Sequence, residues 1–137
     1  MKILFVCKHN RFRSKSGEAF FLKYNMDKKN EVKSAGVMLD PIFPFMHTNV
    51  VLALEKMKAP PLNEKARQID ERLINWADLI VIVADNVNPE IFSGKKVEVW
   101  KVSDTDQSDV PGIAKREKII EKKVKGLIKR IGIKSRD

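Results

Sequence analysis

Cysteine occurs once in the 137 residues, at Cys7. One thiol excludes an internal disulfide framework and any multi-cysteine zinc site, and it leaves a single sulfur either for packing or for chemistry. Histidine occurs only at His9 and His47, neither with a paired ligand, so no metal is expected. Long apolar runs are also missing. The longest, Leu79 to Ala84 and Val50 to Leu54, fall far short of the roughly 20 residues that a membrane-spanning helix requires. Lys8 ends the apolar N-terminal run Ile3 to Cys7 too early for a secretory signal, which makes the cytoplasm the expected compartment and a membrane no expected partner. No repeat, low-complexity tract or linker divides the sequence, so residues 1–137 are expected to form one domain and to act as a monomer.

What is present is a globular composition with a basic bias. Hydrophobic residues make up 43% and charged residues 33%, too apolar for a disordered chain. A chain of this length buries roughly two thirds of the surface its unfolded form exposes, enough for a core without staples. Lys plus Arg total 27 against 18 Asp plus Glu, a net charge of +9. Such a balance invites nucleic acid through counterion release. Much of the excess, however, lies between Lys115 and Lys134, among Ile113, Ile120, Val124, Leu127, Ile128 and Ile131 at helical spacing, and reads first as a solvated helix face. Neither a helix-turn-helix signature nor an aromatic and basic strand motif accompanies it, so nucleic acid is not the expected partner.

Lys2 to Cys7 reads as a strand buried on both faces. A loop, Lys8 to Arg13, leads to a helix expected to start under a Ser14 cap with Glu18 in its early turns. Val32 to Ala35 is a second strand ending at Gly36, and Val37 to His47, with Pro41 and Pro44, is irregular. Thr48 is expected to cap a helix that runs through Met57 until Pro60 and Pro61 stop it. A further helix is predicted from about Asn63 to Trp76, on the spacing of Ala66, Ile69 and Leu73. Leu79 to Ala84 is the strongest strand; Asn88 and Pro89 open a short helical turn through Phe92; Lys96 to Trp100 is the last strand; a polar loop, Ser103 to Gly112, precedes the final helix. Strands alternating with helices predict an α/β fold, a three-layer doubly wound domain with a four-stranded parallel sheet. Ligands of such sheets bind at the carboxyl ends of the strands, where Cys7, Asp85 and the loop after Trp100 all lie.

The informative segment is Val6 to Ser14, which joins that first strand to the first helix. A loop of this length before a helix N-terminus can turn backbone N–H groups inward, where the helix dipole adds roughly half a positive charge. Arg13 supplies a planar fork for two oxygens of a phosphate. Cys7 in such a nest is expected as a thiolate nucleophile rather than as the small buried hydrophobe that composition alone favours. Cysteine, five residues, arginine and serine gain specificity from joining a strand to a helix; as a bare string they recur by chance. The phosphate cradle is therefore assigned to Lys8, His9, Asn10, Arg11, Phe12, Arg13 and Ser14.

On these residues the sequence resembles the low-molecular-weight protein tyrosine phosphatase family, which shares its fold with the cysteine-dependent arsenate reductases. The loop sits at the extreme N-terminus as in that family, Asn10 and Glu18 stand at the family's positions, Ser34-Ala35-Gly36 looks like the end of its second strand, and Ala77-Asp78-Leu79-Ile80 like the opening of its third. The resemblance implies Cys7 as nucleophile, Arg13 as phosphate ligand, Ser14 as donor to the sulfur, Asn10 and Ser34 as supports of the loop, and no cofactor. It implies a phosphocysteine intermediate in the hydrolysis of phosphotyrosine or aryl phosphate monoesters.

Departures from the pattern are equally plain. His9 stands where the family usually has a glycine, at a place expected to need positive φ. Phe12 replaces a second cysteine, so a disulfide with Cys7 cannot form. The family's general acid belongs to an Asp-Pro pair, whereas here Asp104 precedes Thr105. Asp104 is the candidate acid by its distance from Trp100, with Asp106 and Asp109 as rivals. No aromatic residue follows it; Phe43 and Phe45 either wall the pocket instead or plug the core. Lys8 and Arg11 flank the cradle, favouring acidic phosphorylated proteins or small aryl phosphates and disfavouring a cationic phosphoarginine. The alternatives are an arsenate reductase that uses an external small thiol, since further cysteines are lacking, and a degenerate phosphate-binding module.

Overall fold

The computed structural model describes residues 1–60 and 62–132; Pro61 and Lys134, which enter the expectations above, lie outside the described residues. The elements are β1 Lys2–Cys7, α1 Arg13–Tyr24, β2 Glu31–Gly36, α2 Thr48–Lys56, α3 Glu71–Trp76, β3 Leu79–Val83, a 3-10 turn Pro89–Phe92, β4 Val97–Trp100 and α4 Val110–Arg130. The four strands form one sheet in the order β2-β1-β3-β4, and every pairing is parallel. The architecture is the expected α/β one.

Side chains alternate across the central strands, so both faces are apolar. Ile3, Phe5, Val81 and Val83 face α1, α2 and α4, meeting Phe20, Leu54, Ile120 and Val124 in one core. Leu4, Val6, Ile80 and Ile82 face the other way, onto Leu73, Ala77 and Phe92. From β1 the chain goes first to β2 on one side and then to β3 on the other, which leaves a crevice at the carboxyl end of β1. Cys7 ends that strand. Among the described residues no helix is long and apolar enough to cross a membrane.

Four boundaries differ from expectation, each for a local reason. Ser14 does not cap α1: the helix starts at Arg13, its N-cap position is Phe12, and no side chain caps it. The cap of α2 is His47, whose Nδ1 accepts from Asn49 N, rather than Thr48. The helix expected from Asn63 shrinks to α3, capped by Asp70. The residues before it are held extended, because Arg67 O accepts from Gly36 N and Ile69 N donates to Gly36 O, and backbone spent on such pairing cannot form a helix. Finally, Gly112 lies inside α4, which Asp109 caps through Gly112 N.

One polar contact interrupts the packing of α1 on α4. Glu117 is fully buried; among the described residues neither its carboxyl oxygens nor the buried Ser16 hydroxyl makes a well-formed hydrogen bond, although Ser16 lies close enough to favour the charged form of the carboxyl. Burial pushes the Glu117 carboxyl up to about 8, with Ser16 opposing the shift and Glu121 adding to it. The folded value lies above the ordinary 4.5, so the native state retains a proton that the unfolded chain loses, and this contribution to stability is full below the ordinary value and declines as pH rises toward 8. Glu117→Gln is expected to remove that decline and to raise the melting temperature at pH 8 by several degrees while changing it little at pH 4.5. Thermal unfolding of both proteins across this range checks it; parallel curves would refute a buried neutral acid.

Candidate active site

The loop at residues 8–12 turns back over the end of β2. Met38 N donates to Lys8 O at 2.8 Å and Val37 N to Cys7 O at 3.1 Å, while His9 Nδ1 donates to Met38 O at 2.6 Å. A Cβ on Gly36 would lie 2.7 Å from Lys8 O and 2.9 Å from Asn10 N, so glycine is what permits this close approach. The left-handed residue of the loop is Asn10, with φ 56°, and not His9. Asparagine bears such a conformation better than most residues because its short amide bonds locally. Phe12 packs into the core beside α1.

The Asn10 amide organises the polar interior. Its Oδ1 accepts from Arg67 N at 2.9 Å, which fixes which end of the amide donates. Nδ2 donates to Ser14 Oγ at 2.7 Å and to Ser34 Oγ at 3.0 Å. Ser34 Oγ passes its own proton to Glu18 Oε1. Ser14 Oγ lies 2.9 Å from Cys7 Sγ; the hydroxyl accepts from Asn10 and keeps its own proton for the sulfur whenever that is a thiolate. Asn10 N adds a second donor at 3.3 Å.

Two buried charges stand behind the loop. Burial raises the Glu18 carboxyl above its ordinary value, opposed by the Ser34 hydrogen bond and by Lys15. Burial likewise lowers the Lys15 ammonium, opposed chiefly by Glu18.

Arg13 is 2% exposed. Its Nη1 donates to Val102 O at 2.9 Å and more loosely to Asp85 Oδ1 at 3.4 Å, and its Nη2 donates to Asn86 Oδ1 at 3.2 Å. Asp85 and Asn86 follow β3 and Val102 follows β4, so two strand ends converge on the guanidinium. Their position at the carboxyl edge was the available sequence signal for Asp85 and Asn86, though their pairing with Arg13 was not foreseen. The sulfur and guanidinium open into a cavity of about 510 Å³, also lined by His9, Arg11, Phe12, Phe43, His47 and residues 104–108. Lys8, Asn10 and Ser14 are outside that lining. Phe43 and Phe45 are exposed, which rules out the core-plug alternative, and Arg11 stacks over Phe43 at 5.2 Å and donates to Phe45 O at 2.8 Å.

Asp104 lies in the cavity wall, its Oδ2 4.0 Å from Arg13 Nη2. The rivals are occupied elsewhere. Hydrogen bonds from the Ser108 hydroxyl and amide hold Asp106 below its ordinary value. The Thr105 hydroxyl and Gly112 amide do the same for Asp109. Among the described residues no cluster of three potential ligands could hold a metal.

Known proteins share the fold and part of the sequence. The sequence profile of the family described as low molecular weight phosphotyrosine protein phosphatase matches residues 2–136. The chain is 34% identical over 90 residues to an arsenate reductase of Bacillus cereus, an alignment that takes in 64% of this chain and 63% of that relative's length. The solved arsenate reductase of Archaeoglobus fulgidus DSM 4304 is similar with a TM-score of 0.75 and 29% identity, covering 92% of this chain and 98% of its own. A low molecular weight phosphotyrosine phosphatase of Vibrio cholerae O395 has the same fold, with a TM-score of 0.84 at 16% identity over 96% of this chain and 97% of its own.

The Asn10 network generates a stability prediction. Asn10→Ala leaves Ser14, Ser34 and Arg67 N short of a partner and places alanine at positive φ, and is expected to cost about 3 kcal/mol. Asn10→Gly removes the same bonds without the steric conflict and is expected to recover about 1 kcal/mol of that loss. Urea denaturation of the pair separates the contributions; equal losses would show that the backbone at residue 10 is not strained.

Proposed function

Since this chain belongs to the low molecular weight phosphotyrosine protein phosphatase family, we propose that it is a cysteine-dependent phosphatase acting on phosphotyrosine or small aryl phosphate monoesters. The observation that carries this reading is Cys7 Sγ, which shares a cavity with Arg13 and Asp104 and lies 2.9 Å from the Ser14 hydroxyl behind it. That is the equipment of a nucleophile and its leaving group in turn.

Cys7 Sγ attacks phosphorus in line with the ester oxygen, forming the S–P bond as the P–O bond breaks. Arg13 and the uncapped first turn of α1 take up charge on the equatorial oxygens. Asp104 gives its proton to the departing phenoxide, then accepts one from the water that attacks the phosphocysteine. Phosphate leaves as the S–P bond breaks, and Ser14 O–H stabilises the released thiolate. Phe43 and His47 offer walls for an aromatic ring, and Arg11 at the mouth favours acidic substrates over phosphoarginine. The cycle needs no metal, and the reading takes residues 1–137 as one catalytic domain that works as a monomer.

Arsenate reduction is the second reading, favoured by the names of relatives with 29–34% identity. Arsenate has the shape and charge for the same cradle. With one cysteine in the chain, the two electrons must come from thiols outside it.

Hydrolysis of an aryl phosphate in the presence of a chelator tests the first reading. Cys7→Ser is expected to abolish turnover yet retain phosphate binding. Absence of turnover in the wild type, together with arsenate reduction supported by a small thiol, would replace it with the second.

A separate comparison assigns the acid. Asp104→Asn should slow poor leaving groups by roughly 10²-fold or more and good ones far less, while Asp106→Asn and Asp109→Asn change both little. A silent Asp104→Asn would place the acid elsewhere.

A further inference from the structure

A second depression lies on the helical side of the molecule, outside the chemistry described above. Leu52 and Ala53 of α2, Met57 just after it, and Val110 and Ala114 of α4 line it, with Lys56 and Lys118, in a volume of about 650 Å³. Steps of three and four residues along both helices make each wall a continuous stripe, so the depression is a groove running along the helices. The buried faces of the same helices carry Val50, Leu54, Ile113 and Ile120, whereas Leu52 and Val110 are each 49% exposed. Two adjacent helices with such stripes present the shape that receives a third helix.

Charge selects the occupant. Glu55 is the sole carboxylate of the lining against Lys56 and Lys118, exposed Lys122 extends the α4 stripe by one turn, and the chain as a whole carries +9. A second copy of the chain would set lysine against lysine across the groove. Nucleic acid matches the charge but has no apolar face to cover Leu52 and Val110, and a bilayer surface does not enter a groove. An amphipathic helix with carboxylates beside its apolar stripe satisfies both the floor and the rim.

The groove also adjoins the catalytic cavity. Asn49 belongs to the groove and Gln107 to the cavity, and Asn49 Nδ2 donates to Gln107 O at 2.9 Å. Val110 directly follows Asp109, which caps α4 and accepts from Thr105 Oγ1 at 2.8 Å. We propose that the α2–α4 groove is a docking site for an acidic amphipathic helix of the protein substrate, which delivers the neighbouring phosphorylated side chain to Cys7. The inference deepens the phosphatase reading and rests on it for the identity of the delivered group.

The probes are a short phosphotyrosine peptide, the same peptide extended by a designed amphipathic helix of leucine and glutamate, and an aryl phosphate. The wild type is expected to hydrolyse the extended peptide with kcat/KM about tenfold above the short one, as a modest docking energy allows. Leu52→Asp and Lys118→Glu should each remove most of that gain and leave the short peptide and aryl phosphate unchanged, with circular dichroism reporting intact folding. No gain from the extension, or a gain that survives both substitutions, overturns the groove while leaving the phosphatase reading intact. Variants that lose affinity for duplex DNA or anionic vesicles while the extension gains nothing would assign a different occupant and also overturn it. Should none of the phosphate esters be hydrolysed, the phosphatase reading fails by itself. Titration of the unphosphorylated helix then decides the groove: binding lost in both variants upholds it, and no binding overturns it.

Discussion

A guanidinium that never loses its charge can be buried only where acceptors surround it, and Arg13 is buried at the first residue of α1. Its acceptors come from the connections after β3 and β4, which an all-parallel sheet brings to the same edge as the end of β1. The path of three loops is therefore tied to one side chain. The N-cap of α1, Phe12, has no acceptor to offer, so with Arg13 turned toward the strand ends and Ser14 toward the sulfur the first-turn amides are left for an anion.

The polar interior radiates from one amide. Asn10 supplies two protons, one to each serine hydroxyl, and each hydroxyl hands its own proton outward, Ser14 to Cys7 and Ser34 to Glu18. Two acidic groups thus sit at the ends of a line of dipoles that all point away from its centre. Lys15, on the same helix as Glu18, offsets part of the burial penalty of that carboxyl. Every link is directional, so the set behaves as a unit rather than as a sum of pairs.

Much of this was legible in the sequence. The apolar run of β1, the loop to Arg13 and the alternation of strands and helices pointed to the sheet and placed Cys7 at its edge, since strong periodicity and turn residues act locally. The misread features depend on contacts distant in sequence. Residues 63–70 have helical spacing, but Gly36 pairs with the main chain of Arg67 and Ile69 around Gln68, and the sequence around Ala66 contains no sign of that partner. His47, which in the sequence is only a histidine without a paired metal ligand, caps α2 and walls the cavity. Positive φ was assigned to His9 by resemblance to a glycine, and falls instead on the neighbouring Asn10, where the amide has three partners. Asp85 was recognised as a strand-end residue, but only the fold shows that it faces Arg13.

The anchor of the Asn10 amide is the main-chain N–H of Arg67. Every residue type except proline carries that donor, so the bond that sets the direction of the whole network has no side chain to lose. Position 67 can therefore drift widely in identity during evolution without reversing the network, and its importance would register across divergent sequences chiefly as an avoidance of proline. A residue can in this way set the direction of the hydrogen bonds around a buried sulfur while leaving almost no trace in the variability of its own side chain.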